Sequence, residues 1–258
     1  MGQPREFAAP AEHYDRFMGR FTRTLAPAFI GAAGIGPGDG PVVDVGCGPG
    51  GLTLELAKTY GGEAIAAIDP ADQFAAACRD RVPGADVRVG GAEELPWDDD
   101  AFGAALACLV IGFMRDPVRG ISEMARVTRP GGTVAACMWH LPEGMPMLGH
   151  FWKAMLAVRP ELPGERALVG TQEGQIGDVF RTAGLIDVRE GSIAAAADYT
   201  GFDDYWEPLT NGVGPAGQAL AALPEADRER VRDTAKAGLP DGPFTLEARA
   251  WLAVGTVA

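Results

Sequence analysis

Histidine is scarce in this chain. Three occur among 258 residues, so few side chains can serve as neutral-pH bases or as zinc ligands. Cysteine is nearly as rare: Cys47, Cys78, Cys108 and Cys137. None stands at CxxC spacing and none lies at metal-ligand spacing from a histidine, so no metal is expected. Cys108 and Cys137 fall in apolar runs and read as reduced core residues, which implies a reducing, cytoplasmic compartment. Basic charge is also in deficit. Lys and Arg number 22 against 35 acids, a net charge of −13, and such a surface repels phosphate backbones and anionic lipid. No nucleic-acid or membrane partner is therefore expected.

Long apolar runs are missing as well. The longest, "AALACLVIGFM" from Ala104 to Met114, is too short to span a bilayer and fits a buried strand. The opening "MGQPREFAAP" has no apolar h-region, so no signal peptide is expected. It lacks Ser or Thr at the sixth position, so no myristoylation is expected either. The acids of "WDDD" at 97–100 read as a solvated turn rather than a metal site.

Apolar residues are present in quantity. They make up 47% of the chain, enough for a full core. The length suits one domain with a modest lid. Residues 11–35 show helical spacing. Strand and helix patterns then alternate: "PVVDVG", "GLTLELAKTYG", "EAIAAIDP", "ADQFAAACRDRV", a short third strand in "ADVRVGGAEELPW", and a nearly all-apolar fourth in "AFGAALACLVIGF". A helix at "DPVRGISEMARVT" ends in "RPGG", and "TVAACMWH" is a fifth strand. This rhythm predicts an α/β fold, a doubly wound, Rossmann-like parallel sheet with right-handed crossovers. Later come a helix in "EGQIGDVFRTAGL", a strand in "IDVREGSIAA" and a closing strand in "FTLEARAWLAVGTV". The expected division is an N-terminal helix in 1–40, a core in 41–198, a lid-like insertion in 199–240 and a closing strand in 241–258.

The chemistry is concentrated in "VVDVGCGPGGLT", Val42 to Thr53. A glycine loop after a strand offers backbone N–H groups and a helix N-terminus to a ligand. Gly46, Gly48 and Gly51 fit the GxGxxG spacing, so the loop alone allows an NAD-dependent oxidoreductase. Asp44 points elsewhere. A carboxylate beside the loop repels a diphosphate and suits a ligand with cationic groups, such as S-adenosylmethionine, with its ammonium and sulfonium. A capping or turn role is the plainer alternative for Asp44. Asp69, in "AIDP", lies somewhat over 20 residues beyond the start of the loop, where a ribose-binding acid belongs. Its alternative is a turn acid at a strand end.

With these residues the sequence resembles the class I S-adenosylmethionine-dependent methyltransferases of the small-molecule, methyltransferase-11-like type. "VVDVGCGPGGLT" resembles that family's first motif and "IDP" its ribose acid. "GGAEELPWDDDAF" and "EMARVTRPGGTVAACMWH" are similar to later segments, and "YDRFMGRFTR", "FDDYW" and "LEARAWLAVG" resemble one subgroup. The resemblance implies a seven-stranded sheet whose last strand is antiparallel and lies beside the sixth. It implies S-adenosylmethionine as methyl donor, S-adenosylhomocysteine as product and a small-molecule acceptor methylated at O, N or C. A non-methylating cofactor-binding protein or cyclase is the alternative.

The resemblance also implies residue roles. Asp44, Gly46, Cys47 and Gly48 would hold the methionine end, and Cys108 and Leu109 would pass beneath it. Asp69 would take the ribose, Pro70 would border the adenine, and Ala92 and Glu93 would read its edge. Tyr14 and Arg20 would stand on the N-terminal helix, with Arg20 either pairing with the cofactor carboxylate or lying in solvent. His140 is the first candidate for a general base, or else a packing histidine. Glu143, His150 and His13 are weaker candidates. Trp139, His140, Tyr205 and Trp206 are candidate substrate contacts, with lid packing as the alternative for the last two. Two positions depart from the pattern: Gly103 stands where the family often has Asp, and His140 follows Trp139 where the subgroup often has Asp.

Overall fold

The computed structural model describes residues 10–141, 143–162 and 168–258. Seven strands form one sheet: β1 (Val42–Val45), β2 (Ile65–Asp69), β3 (Asp86–Val89), β4 (Phe102–Cys108), β5 (Thr128–Trp139), β6 (Ile186–Tyr199) and β7 (Phe244–Thr256). Their order is β3-β2-β1-β4-β5-β7-β6. The first five are parallel, and β7 runs antiparallel between β5 and β6. Every residue of β1 and β2 is buried, which accounts for their unbroken apolar character. The strand order reverses at β1, between β2 and β4. Open α/β sheets bind ligands at that switch point, and the glycine loop leaves β1 there.

The N-terminal helix packs on one face of the sheet. It runs as Ala11–Tyr14, a π-helical turn Asp15–Gly19, and Arg20–Ala33. Phe17, Phe21, Leu25 and Phe29 recur every four residues and are buried. Each such burial is worth about 1.5–3 kcal/mol. Gly34, at φ 74°, ends the helix in the left-handed conformation that favours glycine.

The structure redraws several sequence expectations. The apolar run after Phe102 is not one strand. β4 stops at Cys108, Leu109 turns at φ 63°, and Ile111–Phe113 forms a short 3-10 turn. An apolar run reports burial, and burial does not require strand continuity. β5 begins at Thr128 and so includes the "RPGG" turn. The helix Pro146–Val158, which carries His150, buries Met147, Leu148, Phe151, Trp152 and Met155. Residues 199–240 read as a polar insertion. Their helices nevertheless bury Phe202, Tyr205, Trp206, Leu220 and Val231 in the same core cluster as the N-terminal helix, β5 and β7.

Two family-like segments serve the fold. Glu123 is buried and forms a two-pronged ion pair with Arg126 at 2.8 and 2.9 Å, while its carboxylate also accepts the Leu95 N–H. Arg126 then donates to the Leu95 and Trp97 carbonyls and to Asp99. This network locks "AEELPWDDD" to "EMARV". Gly103 has a reason too. A Cβ there would lie 2.0 Å from the Asp39 carbonyl oxygen, so the backbone leaves no room for the acid often found at this position.

Candidate active site

The glycine loop is pinned before any ligand arrives. The N–H groups of Gly46 and Cys47 donate to the Ile68 carbonyl at 2.8 and 3.0 Å, which ties the loop to the end of β2. Gly46 has φ 76°, and a Cβ on it would strike Val110 at 2.4 Å. Asp69 completes the stitch. One carboxylate oxygen accepts the Gly48 N–H at 2.9 Å and the other the Ala71 N–H at 2.8 Å. Burial pushes the Asp69 pKa up to about 6 against the pull of these two donors. Each oxygen keeps a lone pair for a further donor.

Asp44 is fully buried. The Thr53 hydroxyl donates to one carboxylate oxygen at 2.6 Å, and the other oxygen has no hydrogen-bond partner. Burial pushes the pKa up to about 7, with the Thr53 hydroxyl opposing. An unpartnered buried acceptor is costly. It is also a ready seat for a cationic donor, and Asp44 lines the cavity in front of the loop.

That cavity holds about 360 Å³, within the range of small-molecule sites. Tyr14, Gly46, Cys47, Gly48, Cys108 and Leu109 line it, together with Thr22, Arg23, Lys58 and Arg81. The resemblance named the first six; Thr22, Arg23, Lys58 and Arg81 were missed. Arg81 pairs with Asp15 and Lys58 with Glu55. Arg23 is exposed and has no ion-pair partner among the described residues. Asp15 and Glu55 line the cavity as well, so Arg23 is the one cation of this rim without an ion-pair partner among the described residues, and with the buried Asp44 it matches the two charges of an amino-acid end group. The donor set thus fits the methionine part of S-adenosylmethionine.

A second cavity, of about 70 Å³, adjoins the first. Tyr14 and Leu109 line both. The rest of its wall is apolar: Phe17 and Met18 of the N-terminal helix, Phe113, Met138 and Trp139, Leu141, Leu148 and Leu168, and the 213–216 segment. The π-helical turn presents Phe17 and Met18 to this chamber while Asp15 reaches Arg81. Such turns frequently mark functional sites. Leu109 sits at the junction with φ 63°, unusual for a bulky residue, and its N–H donates to the Cys137 carbonyl at 2.9 Å.

Other expected residues lie elsewhere. Arg20 does not reach the cofactor cavity. Its guanidinium bonds Asp204 at 2.9 Å and the Asp198 carbonyl at 3.1 Å, and it stacks 4.5 Å from the Tyr199 ring. It clamps the helix to the 199–240 region, which also rules out a solvated charge. His140 lines neither cavity; its ring packs 4.9 Å from that of Trp251. Tyr205 is buried and donates to the Met147 carbonyl at 2.9 Å, and Trp206 stacks on Phe202, so both act in packing. Glu93 accepts the N–H groups of Arg115 and Asp116 on its Oε1 alone. Ala92 and Glu93 line neither cavity. Pro70 is exposed beside Asp69. His150 and His13 line neither cavity, and Glu143 is exposed. Among the described residues no cluster of His, Cys, Asp or Glu could hold a metal, and all four cysteines are free.

Comparison with known proteins agrees with this geometry. The family profile described as a methyltransferase domain matches residues 43–136, which contain the loop, both acids and Cys108. The matched segment is a methyltransferase domain. It is similar to an uncharacterized protein of Mycobacterium tuberculosis, 29% identical over 86% of this chain and 84% of that one. A demethylmenaquinone methyltransferase of a Mycobacterium species is 37% identical over 128 residues, half of each chain. The YcgJ protein of Bacillus subtilis shares the fold, with a TM-score of 0.56 at 17% identity over 90% of this chain and 97% of that one. A solved methyltransferase of Haemonchus contortus that shares the fold, with a TM-score of 0.57 at 18% identity over 95% of this chain and 56% of that one, is in complex with S-adenosylhomocysteine. No helix among the described residues is long and apolar enough to cross a membrane.

Proposed function

We propose that this methyltransferase transfers the methyl group of S-adenosylmethionine to an O, N or C atom of a small-molecule metabolite held in the apolar chamber. The carrying observation is the meeting of the two cavities at Tyr14 and Leu109. A polar cleft of a size suited to the donor opens there onto a smaller, apolar chamber. The free thiols and acidic surface support a reducing, cytoplasmic setting.

The chain's own residues divide the work. The unpartnered oxygen of Asp44 takes the cofactor ammonium, directly or through water. Arg23, in place of Arg20, pairs with the carboxylate at the rim. Gly46, Cys47 and Gly48 admit close approach, and Asp69 accepts from the ribose hydroxyls with its remaining lone pairs. Pro70 and the backbone of Ala92 and Glu93 border the adenine. Cys108 and Leu109 form the floor, and Tyr14 closes over the junction. The bound cofactor supplies an activated methyl group on a sulfonium whose thioether leaves as a neutral group. The protein's contribution is alignment and exclusion of water, which can supply on the order of 7–11 kcal/mol of the barrier.

Calorimetry with S-adenosylmethionine, S-adenosylhomocysteine and NAD tests the cofactor assignments. Tight binding of both sulfur ligands and none of NAD is expected; failure to bind either sulfur ligand would sink the reading. A methyl-labelled cofactor tests the transfer. Label in a small-molecule product is expected, whereas a product formed without label would favour a cyclase-like, non-methylating role.

A further inference from the structure

Among the described residues, the wall of the apolar chamber carries no acid, no base and no amide side chain. Tyr14 brings its one hydroxyl and Trp139 its one indole N–H. Of the charged groups on the N-terminal helix, Asp15 pairs with Arg81, Arg16 with Glu207 and Arg20 with Asp204, and Arg23 lines the neighbouring polar cleft. His140 is held against Trp251. A charged acceptor would leave water with nothing to receive its charge, at a cost of several kcal/mol per ion. An acceptor whose proton must be drawn off by a protein base would find none in contact among the described residues. Burial raises the Tyr14 pKa, so its phenol stays neutral and donates rather than accepts a proton. Met18 and Met138 add deformable thioethers, which accommodate a flat or irregular apolar shape.

We infer, on the reading of this chamber as the acceptor site, that the acceptor is an uncharged apolar molecule bearing a phenol- or enol-type hydroxyl, methylated on that oxygen or on the adjoining electron-rich carbon. A protonated amine or a phosphorylated metabolite does not fit. The acceptor loses one proton to water. Its electron pair forms the new bond to the methyl carbon, the bond from that carbon to sulfur breaks with its pair going to sulfur, and the positive charge of the sulfonium is discharged. The only charge that forms in the chamber is the acceptor's own, beside that sulfonium.

Two measurements on the whole chain test this. The first is binding of 2-naphthol, 2-naphthoate and protonated 2-naphthylmethylamine with S-adenosylhomocysteine saturating, followed by calorimetry. The neutral naphthol should bind at least tenfold tighter than either ion, and equal or tighter binding of an ion overturns the inference. Leu148→Lys should turn the preference toward naphthoate while leaving S-adenosylhomocysteine affinity unchanged. If that variant does not fold, the wild-type ranking alone decides. If S-adenosylhomocysteine itself does not bind, the proposed function fails, which is a separate result. The second measurement is methylation of naphthols of graded acidity across pH. The rate with each should follow that naphthol's own ionisation. One pKa common to all of them would reveal a protein base, and no methylation of any would reject the phenol class; either result overturns the inference.

Discussion

Asp44→Asn separates cofactor binding from folding. Asp44 has its pKa pushed up from the ordinary 3.8 to about 7. The folded state therefore holds this proton more tightly than the unfolded chain between those values. The sign follows from linkage: stability falls as pH rises from about 4 to about 7 and then levels off. A shift of about three units corresponds to about 4 kcal/mol lost at pH 8. Asparagine removes that loss and still accepts from Thr53. It leaves one buried amide N–H₂ without a partner in the cofactor-free protein, at a cost of about 1–3 kcal/mol. The variant should thus be about 1–3 kcal/mol more stable than wild type at pH 8, and no more stable at pH 4.5. Urea denaturation of cofactor-free protein at both pH values measures this. Calorimetry on the same samples should show S-adenosylmethionine affinity reduced by tenfold or more, since truncating one partner of a buried charge pair costs about 2–5 kcal/mol. A variant no more stable than wild type at pH 8, or one that binds the cofactor as well as wild type, would refute the reasoning.

Other perturbations probe neighbouring parts. Asp69→Ala should weaken cofactor binding and loosen the Gly48 turn, and unchanged affinity by calorimetry would contradict its ribose role. Arg23→Ala should lower cofactor affinity severalfold, whereas Arg20→Ala should leave affinity near wild type and lower the melting temperature; the reverse pattern would restore Arg20 to the cofactor. Glu123→Ala should cost about 1–3 kcal/mol by urea denaturation, because it leaves the Leu95 N–H without its acceptor while Arg126 keeps Asp99. His140→Ala should keep turnover within a few fold of wild type, and a large loss with intact cofactor affinity would return the base role to His140.

The parts legible in the sequence are those fixed by short-range chemistry. A loop that must place glycines at positive φ, next to an acid embedded among valines, leaves a local pattern, and Gly46, Asp44 and Asp69 stand where that pattern puts them. The parallel α/β sheet was legible for a similar reason, since fully buried parallel strands read as apolar runs between helices. The acceptor chamber left no such mark. Its wall draws on the N-terminal helix, the ends of β4 and β5, the helix Pro146–Val158 and the 213–216 segment, and Met18, Leu148 and Ala216 look in sequence like any core residue.

The Arg20 error has a more specific cause. One extra residue in a π-helical turn rotates everything after it by about 100° relative to a regular helix. The Asp15–Gly19 turn lies immediately before Arg20, so regular helical phase cannot place the charges that follow. Arg20 meets Asp204 and Arg23 meets the cofactor cavity. The same turn sends Phe17 and Met18 into the chamber while Asp15 reaches Arg81. A single irregular turn thus sorts one short basic and aromatic segment into a clamp, a wall of the polar cleft and a wall of the apolar chamber. Residue identity without backbone phase could not separate the three.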